Sequence, residues 1–226
     1  MNDGLLYRAV AERDLAAHRR ERRDPWKAYV WRRFEDPAIA ADYSATLIFS
    51  DVHFARGRDA IADGERGEAL AEFERAGAWA GAKEVYNNIG SALAEGGYAE
   101  VAAPYFERAI AIDGSYLMAL ENAARVNLEM RAFARAADYF ERAARLSPRD
   151  PRLLLERGQA LEGSGDPRQA LRSYEAAARL DPRSPQPYVA MGLLYLNVLG
   201  DGVQAGRMFD EAAARDPRRA PASGPG

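Results

Sequence analysis

Residues 117–150 read LMALENAARVNLEMRAFARAADYFERAARLSPRD, and residues 151–184 read PRLLLERGQALEGSGDPRQALRSYEAAARLDPRS. Laid one over the other, the windows align Ala136 with Ala170, Phe140 with Tyr174, Ala143 with Ala177 and Pro148 with Pro182, all at a spacing of 34. The window before them continues the columns with Ala102, Phe106 and Ala109, and places Gly114 where the prolines stand. Gly90, Ala124, Gly158 and Gly192 form a further column of small residues. The register extends outward with one-residue slips. Gly57, Ala69, Phe73 and Ala76 lie 33 residues upstream of their counterparts, and Ala205, Phe209, Ala212 and Pro217 lie 35 downstream. The extra downstream residue is expected in the turn Gly200-Asp201-Gly202, where an insertion costs little. Aromatics are 10% of the chain, yet all five windows carry one in the same column, so the repeat is genuine.

Each window contains two stretches with apolar residues at i, i+3, i+4 and i+7, the period of an amphipathic helix. Gly96-Gly97, Gly163-Ser164-Gly165 and Gly200-Asp201-Gly202 divide windows in two. Ser147-Pro148 and Asp181-Pro182 separate one window from the next. The 46 alanines and few β-branched residues favour helix throughout, so the chain is expected to be all-α. A single hairpin cannot bury both its faces, and stacking successive hairpins makes one continuous core.

These residues resemble the tetratricopeptide repeat, a 34-residue helix–turn–helix unit. That pattern has a small residue at position 8, Ala at 20, an aromatic at 24, Ala at 27 and Pro at 32. Counted from Lys83, Leu117, Pro151 and Pro185, the columns above meet it. His53, Tyr86, Leu120, Leu154 and Tyr188 occupy the large position 4. Gly81 and Gly114 depart from the boundary proline, and the first junction is looser. The resemblance implies a right-handed α-solenoid of five repeats at 50–82, 83–116, 117–150, 151–184 and 185–219. It implies a helical cap over residues 1–49 and leaves 220–226 as a disordered tail. Ile112, Leu146 and Leu180 at position 30 should pack on the following repeat, whereas the last repeat has Arg215 there.

The resemblance also implies a ligand face. In this family a partner peptide lies on the concave side lined by the first helix of each repeat. The residues carried over by register are Phe54 and Arg58, then Asn87, Asn88 and Ser91, then Glu121, Asn122, Arg125 and Leu128. They continue with Arg152, Leu155 and Gln159, and end with Val189, Leu193 and Leu196. Chaperone-binding members use a lysine-rich clamp; here position 5 is Phe54, Asn87, Glu121, Leu155 and Val189, so a carboxylate clamp is disfavoured. Asn88 and Asn122 share position 6, where an amide can bond an extended backbone through donor and acceptor. The C-terminal half of the face is apolar and suits an amphipathic helix or hydrophobic peptide.

The first 49 residues follow another pattern. A charged amphipathic stretch runs to about Arg23, Asp24-Pro25 and Asp36-Pro37 break the chain, and a longer helix is expected over 38–62. Arg19, Arg20, Arg22, Arg23, Lys27, Arg32 and Arg33 gather around Trp26, Tyr29 and Trp31. Such a patch is compatible with a solvated helix face, a membrane-surface contact or a nucleic-acid contact. Glu12, Asp14, Glu21, Asp24, Glu35 and Asp36 interrupt it, which argues against nucleic acid. Arg33-Phe34-Glu35-Asp36-Pro37, followed by Asp42-Tyr43-Ser44-Ala45, resembles the soluble tail of certain bacterial membrane glycosyltransferase-like proteins over residues 33–80. That likeness implies an accessory module docking on a membrane or membrane enzyme through residues 19–34.

Composition narrows the chemistry. The 226 residues include no cysteine, which excludes disulfides, thiolate metal sites and thiol nucleophiles. His18 and His53 are the only imidazoles, so a multi-histidine metal centre is excluded. The net charge of −3 is too balanced for a chain dedicated to nucleic acid. Nothing reads as a signal peptide or a transmembrane span, and a cytoplasmic chain is expected. No phosphate loop, catalytic triad or cofactor motif is present, so neither an enzyme nor a small-molecule substrate is inferred. A protein-binding scaffold, with a peptide or amphipathic helix as its partner, is the expected function.

Overall fold

The computed structural model describes residues 43–215, with side chains from 47 onward. Two compact units divide the chain, residues 1–49 and 50–226. The expectations for the basic-aromatic segment, for residues 1–42 and for the tail lie outside the described residues.

Among the described residues ten α-helices alternate with short turns: α1 Tyr43–Ala62, α2 Arg66–Ala80, α3 Lys83–Glu95, α4 Ala99–Ile112 and α5 Leu117–Glu129, then α6 Phe133–Leu146, α7 Pro151–Gly163, α8 Pro167–Leu180, α9 Gln186–Leu194 and α10 Gly202–Ala214. No strand occurs among the described residues. Each odd-numbered helix pairs with the next in a hairpin, and consecutive hairpins stack to form a helical solenoid.

The column residues build the core. Phe73, Phe106, Phe140 and Tyr174 are fully buried, as are Ala69, Ala102, Ala136 and Ala170. The glycine column explains why. A methyl group at Gly57 would sit 2.4 Å from the Phe73 ring, at Gly90 2.7 Å from Phe106, at Gly158 2.2 Å from Tyr174 and at Gly192 2.6 Å from Phe209. Each aromatic of a second helix therefore lies flush against the backbone of its own first helix. Filling such a site with an aromatic contributes roughly 2–3 kcal/mol per ring, and a side chain at any of these four glycines would overpack it unless the ring shifted; the third repeat has Ala124 there, opposite Phe140.

Helix ends follow local chemistry. Asp150, Asp166 and Asp201 cap α7, α8 and α10 by accepting from the backbone N–H of Arg152, Gln169 and Gln204. Pro151 and Pro167 occupy first-turn positions, where the missing N–H is harmless. Each turn within a hairpin places one residue in left-handed conformation: Gly64, Gly97, Gly165 and Gly200, with Arg131 (φ 59°) as the non-glycine member.

Two expectations are corrected. The extra residue of the last repeat is not in the 200–202 turn, which keeps the left-handed glycine and capping aspartate of Gly165-Asp166. It is absorbed in a π-helical turn, Tyr195–Leu199, that prolongs α9. One wider turn of backbone takes up a residue without moving the column contacts on either side. Second, Ile112, Leu146 and Leu180 remain about half exposed. Each is the last residue of its helix, so the next hairpin covers only one side. Arg215 does close the last described hairpin: its guanidinium lies 4.0 Å from the Tyr188 ring centre and donates to the Pro182 carbonyl at 2.8 Å.

Candidate functional site on the first-helix face

First helices of neighbouring hairpins touch directly, α3 with α5 and α7 with α9, while second helices meet through long side chains: Tyr105 and Arg108 of α4 donate to Glu74 of α2, and Tyr139 of α6 donates to Glu107 of α4. The first helices, with the π-turn that prolongs α9, carry every residue assigned to the ligand face. That face has three zones.

The first zone, on α3 and α5, is polar and internally satisfied. Asn122 Nδ2 donates to Asn87 Oδ1 at 3.0 Å and lies 3.4 Å from Ser91 Oγ. Ser91 in turn donates to the Asn87 carbonyl at 3.0 Å. Asn87 is 1% exposed, so it ties two hairpins together from below and does not present itself to a ligand. Asn122 is half-buried and its donor is already used, whereas Asn88 is exposed. Upstream on α1, Arg58 is exposed, but Phe54 is half-buried with its ring 5.8 Å from that of Phe73, a core contact.

The middle zone, between α5 and α7, is charged. Arg125 pairs with Glu121 at 3.2 Å and with Glu156 at 3.6 Å. Arg152 lies 4.0 Å from Glu121 and pairs more closely with Asp150, at 2.7 Å. Glu156 was not among the residues carried over by register, yet it shares position 6 with Asn88 and Asn122, a signal that could have found it. Burial raises its carboxyl above the ordinary carboxylate range; Arg125 and Arg152 pull it down, and the like charge of Glu121 adds to the rise. Its Oε2 is buried without a hydrogen-bond partner. Leu128 is half-buried against the core, and Gln159 is exposed.

The last zone is apolar. Val189, Leu193 and Leu196 are 40, 44 and 51% exposed and fall at i, i+4 and i+7, one continuous row along α9 and its π-turn. Leu155, half-buried on α7, packs on the core beside them. Met191 and Leu194, on the opposite side of α9, are buried. The exposed row is therefore surplus to the core.

Away from this face, His53 is 2% exposed, as its position 4 requires. Its Nδ1–H donates to Glu72 Oε2 at 2.6 Å, and Arg75 pairs with the other carboxylate oxygen. Burial works to raise Glu72, but the His53 bond and the charges of His53, Arg75 and Arg56 outweigh it and hold the carboxyl below its ordinary value. The imidazole is thus engaged in joining α1 to α2. Among the described residues no cluster of His, Asp and Glu could hold a metal ion, and no helix is long and apolar enough to cross a membrane. A shallow depression lies at the α6–α7 junction, beside Glu141, Pro148, Leu154 and Arg157, off the first-helix face.

Comparison with known proteins agrees with this architecture. The family model for the tetratricopeptide repeat matches residues 88–151, 120–185 and 155–220, which together span more than half of the chain. Among solved structures, MamA 41-end from Desulfovibrio magneticus RS-1 superimposes with a TM-score of 0.62 at 18% identity, covering 76% of this chain and 97% of that one. A second structure, MamA MSR-1, gives a TM-score of 0.60 at 21% identity over 76% and 98% of the two chains. At these identities the likeness is one of fold. No curated protein sequence matches.

Proposed function

The chain belongs to the tetratricopeptide repeat family, and from that premise we propose that it is a non-enzymatic protein-interaction scaffold which receives a peptide segment or amphipathic helix of a partner on its first-helix face. The exposed row Val189, Leu193 and Leu196 carries this reading. A row at i, i+4 and i+7 offers a partner helix an apolar seam, and such anchors supply most of the affinity in helix-in-groove recognition. Leu155 adds to the floor. Arg152 on the neighbouring α7, with Arg125 and Asn88 farther along the face, sets orientation by charge and hydrogen bonding. The engagement of His53 with Glu72 leaves that imidazole a structural role, in keeping with a scaffold.

The test is affinity capture with the full chain and with Val189→Glu/Leu193→Glu, both checked for helical content. Proteins retained by the wild type and lost from the double variant are expected. Equal retention by both would refute recognition at this face. Asn122→Ala is a poor probe here, because it strands the buried Asn87 oxygen and loosens the junction of two hairpins.

A further inference from the structure

Charge is unevenly spread along the first-helix face. Repeat positions 2, 5, 6, 9, 12 and 13 fall within about one third of the helix circumference, on the side of the apolar row. On α3, α5 and α7 these positions hold six glutamates and two arginines, whereas on α9 and its π-turn they hold no charged residue. On α1 they hold Asp51 and Arg58, which cancel. Direct contacts join the helices into one surface: Asn122 bonds Asn87 between α3 and α5, Arg125 reaches Glu156 between α5 and α7, and α7 touches α9. The face therefore runs from an acidic stretch to the apolar row of Val189, Leu193 and Leu196.

Both arginines are already matched, Arg125 with Glu121 and Glu156, and Arg152 with Asp150. Glu95 and Glu129 are not. Each is the last residue of its helix, α3 or α5, each is exposed, and neither has an ion pair among the described residues. Both stand at position 13, four residues beyond Ser91 and Arg125, and so continue the face. A carboxylate there meets the negative end of the helix macrodipole and works against folding. The second helices α6 and α8 follow the favourable rule, with Arg145 and Arg179 in their last turns. Glu95 and Glu129 thus oppose the fold slightly and are matched by nothing described in it; a cation from a partner relieves both.

We propose that the partner of this face is a basic protein segment with an apolar end: its apolar residues sit on Val189, Leu193 and Leu196, and its lysines or arginines run on across α7 to Glu129 and Glu95. This rests on the row being the partner's seat and adds the partner's chemistry. Packed helices lie about 8–10 Å apart, so the three intervals from α9 to α3 span roughly 27 Å. A helical segment of about 18 residues covers that distance. An acidic segment laid the same way would set like charges against each other, which selects against it.

Fluorescence anisotropy of the full chain with two labelled peptides of about 20 residues tests this. Both peptides begin with the same turns of Leu and Ala; one continues in Lys and Ala, the other in Glu and Ala. The basic peptide is expected to bind about tenfold tighter at about 50 mM salt, an advantage that shrinks at about 300 mM. Glu95→Gln/Glu129→Gln should bind it about fivefold more weakly. The melting temperature of that variant should hold or rise slightly, because the unfavourable helix ends are gone, so the loss is one of binding and not of folding. Val189→Ser/Leu193→Ser, which opens the seat without adding charge, should weaken both peptides about tenfold. Equal affinity for the two peptides overturns the proposal; if the serine variant still weakens both, the groove reading stands without it. A glutamine variant that binds the basic peptide as tightly as the wild type overturns it as well. Basic-peptide binding untouched by the serine variant is general attraction to an acidic chain and refutes both readings. Failure of both peptides to bind at about 100 μM overturns the proposal and leaves the groove reading to affinity capture.

Discussion

The two ends of the first-helix face use the same repeat positions for opposite purposes. On α3 and α5, positions 5, 6 and 9 hold Asn87, Asn122 and Ser91, whose amides and hydroxyl bond one another across the hairpin junction. On α9, positions 5 and 9 hold Val189 and Leu193, which remain 40 and 44% exposed. At the first end, polar groups are consumed in holding neighbouring repeats in register. At the second, apolar groups are left over. A position that faces a ligand in one repeat is mortar between repeats in another. What separates them is whether the next first helix lies close enough to complete the contact.

That contrast can be broken most sharply at the apolar end. Leu193→Glu is expected to weaken partner capture at least 100-fold, about 3 kcal/mol of binding, with no more than a small change in melting temperature; calorimetric titration against a captured partner and thermal denaturation together check it. The polar end should respond the other way. Asn87→Ala removes a buried acceptor and is expected to cost about 2 kcal/mol of stability in urea unfolding, while leaving capture by the folded protein unchanged. If Asn87→Ala abolished capture without destabilising the chain, the division of labour would be wrong.

Between the two ends lies the hairpin α5–α6, whose turn holds Arg131 in left-handed conformation where the other hairpins have glycine. Arg131→Gly should stabilise the array by about 1 kcal/mol, since a side chain at positive φ carries a steric penalty of that order. The Arg131 guanidinium, 5.8 Å from the Phe133 ring centre, offsets part of the gain. Denaturant midpoints of the two proteins measure the difference.

The smallest effect is expected at Glu156, on the border of the charged and apolar zones. Its carboxyl is raised in the folded chain, first by burial and then by Glu121. A raised acid binds its proton more tightly folded than unfolded, so its contribution is fully present below the unfolded value and is lost as pH rises through the folded one. Glu156→Gln should therefore raise the melting temperature slightly at pH 7 and leave it unchanged near pH 3. Glu72, held below its ordinary value, has the opposite sign: its contribution is present at neutral pH and disappears in acid. Melting curves across pH 3–8 for Glu156→Gln and for Glu72→Gln distinguish the two cases.

Much of this was legible in the residue order. The alanine, glycine and aromatic columns foretold the hairpins and their core, because each aromatic needs a small partner at a set distance along the chain and both recur together. The apolar row on α9 was equally readable, since helical periodicity alone puts Val189, Leu193 and Leu196 on one side. The site was less legible where residues act between repeats. Asn87 looked like a surface amide, and Glu156 did not stand out. Their partners lie on a helix more than 30 residues away in sequence; the 34-residue register marks the position they share, but not which side chains bond across the junction.

Sequence alone thus sufficed for the fold, the hairpin register and the location of the uncovered apolar row, since these follow from local period and side-chain volume. Only the packed structure showed which polar residues were consumed at hairpin junctions, that the inserted residue widened a helix and did not lengthen a turn, and that His53 was bound to Glu72. Those outcomes rest on competition between neighbours for the same hydrogen-bonding groups and the same space, and that competition is decided only when the helices meet.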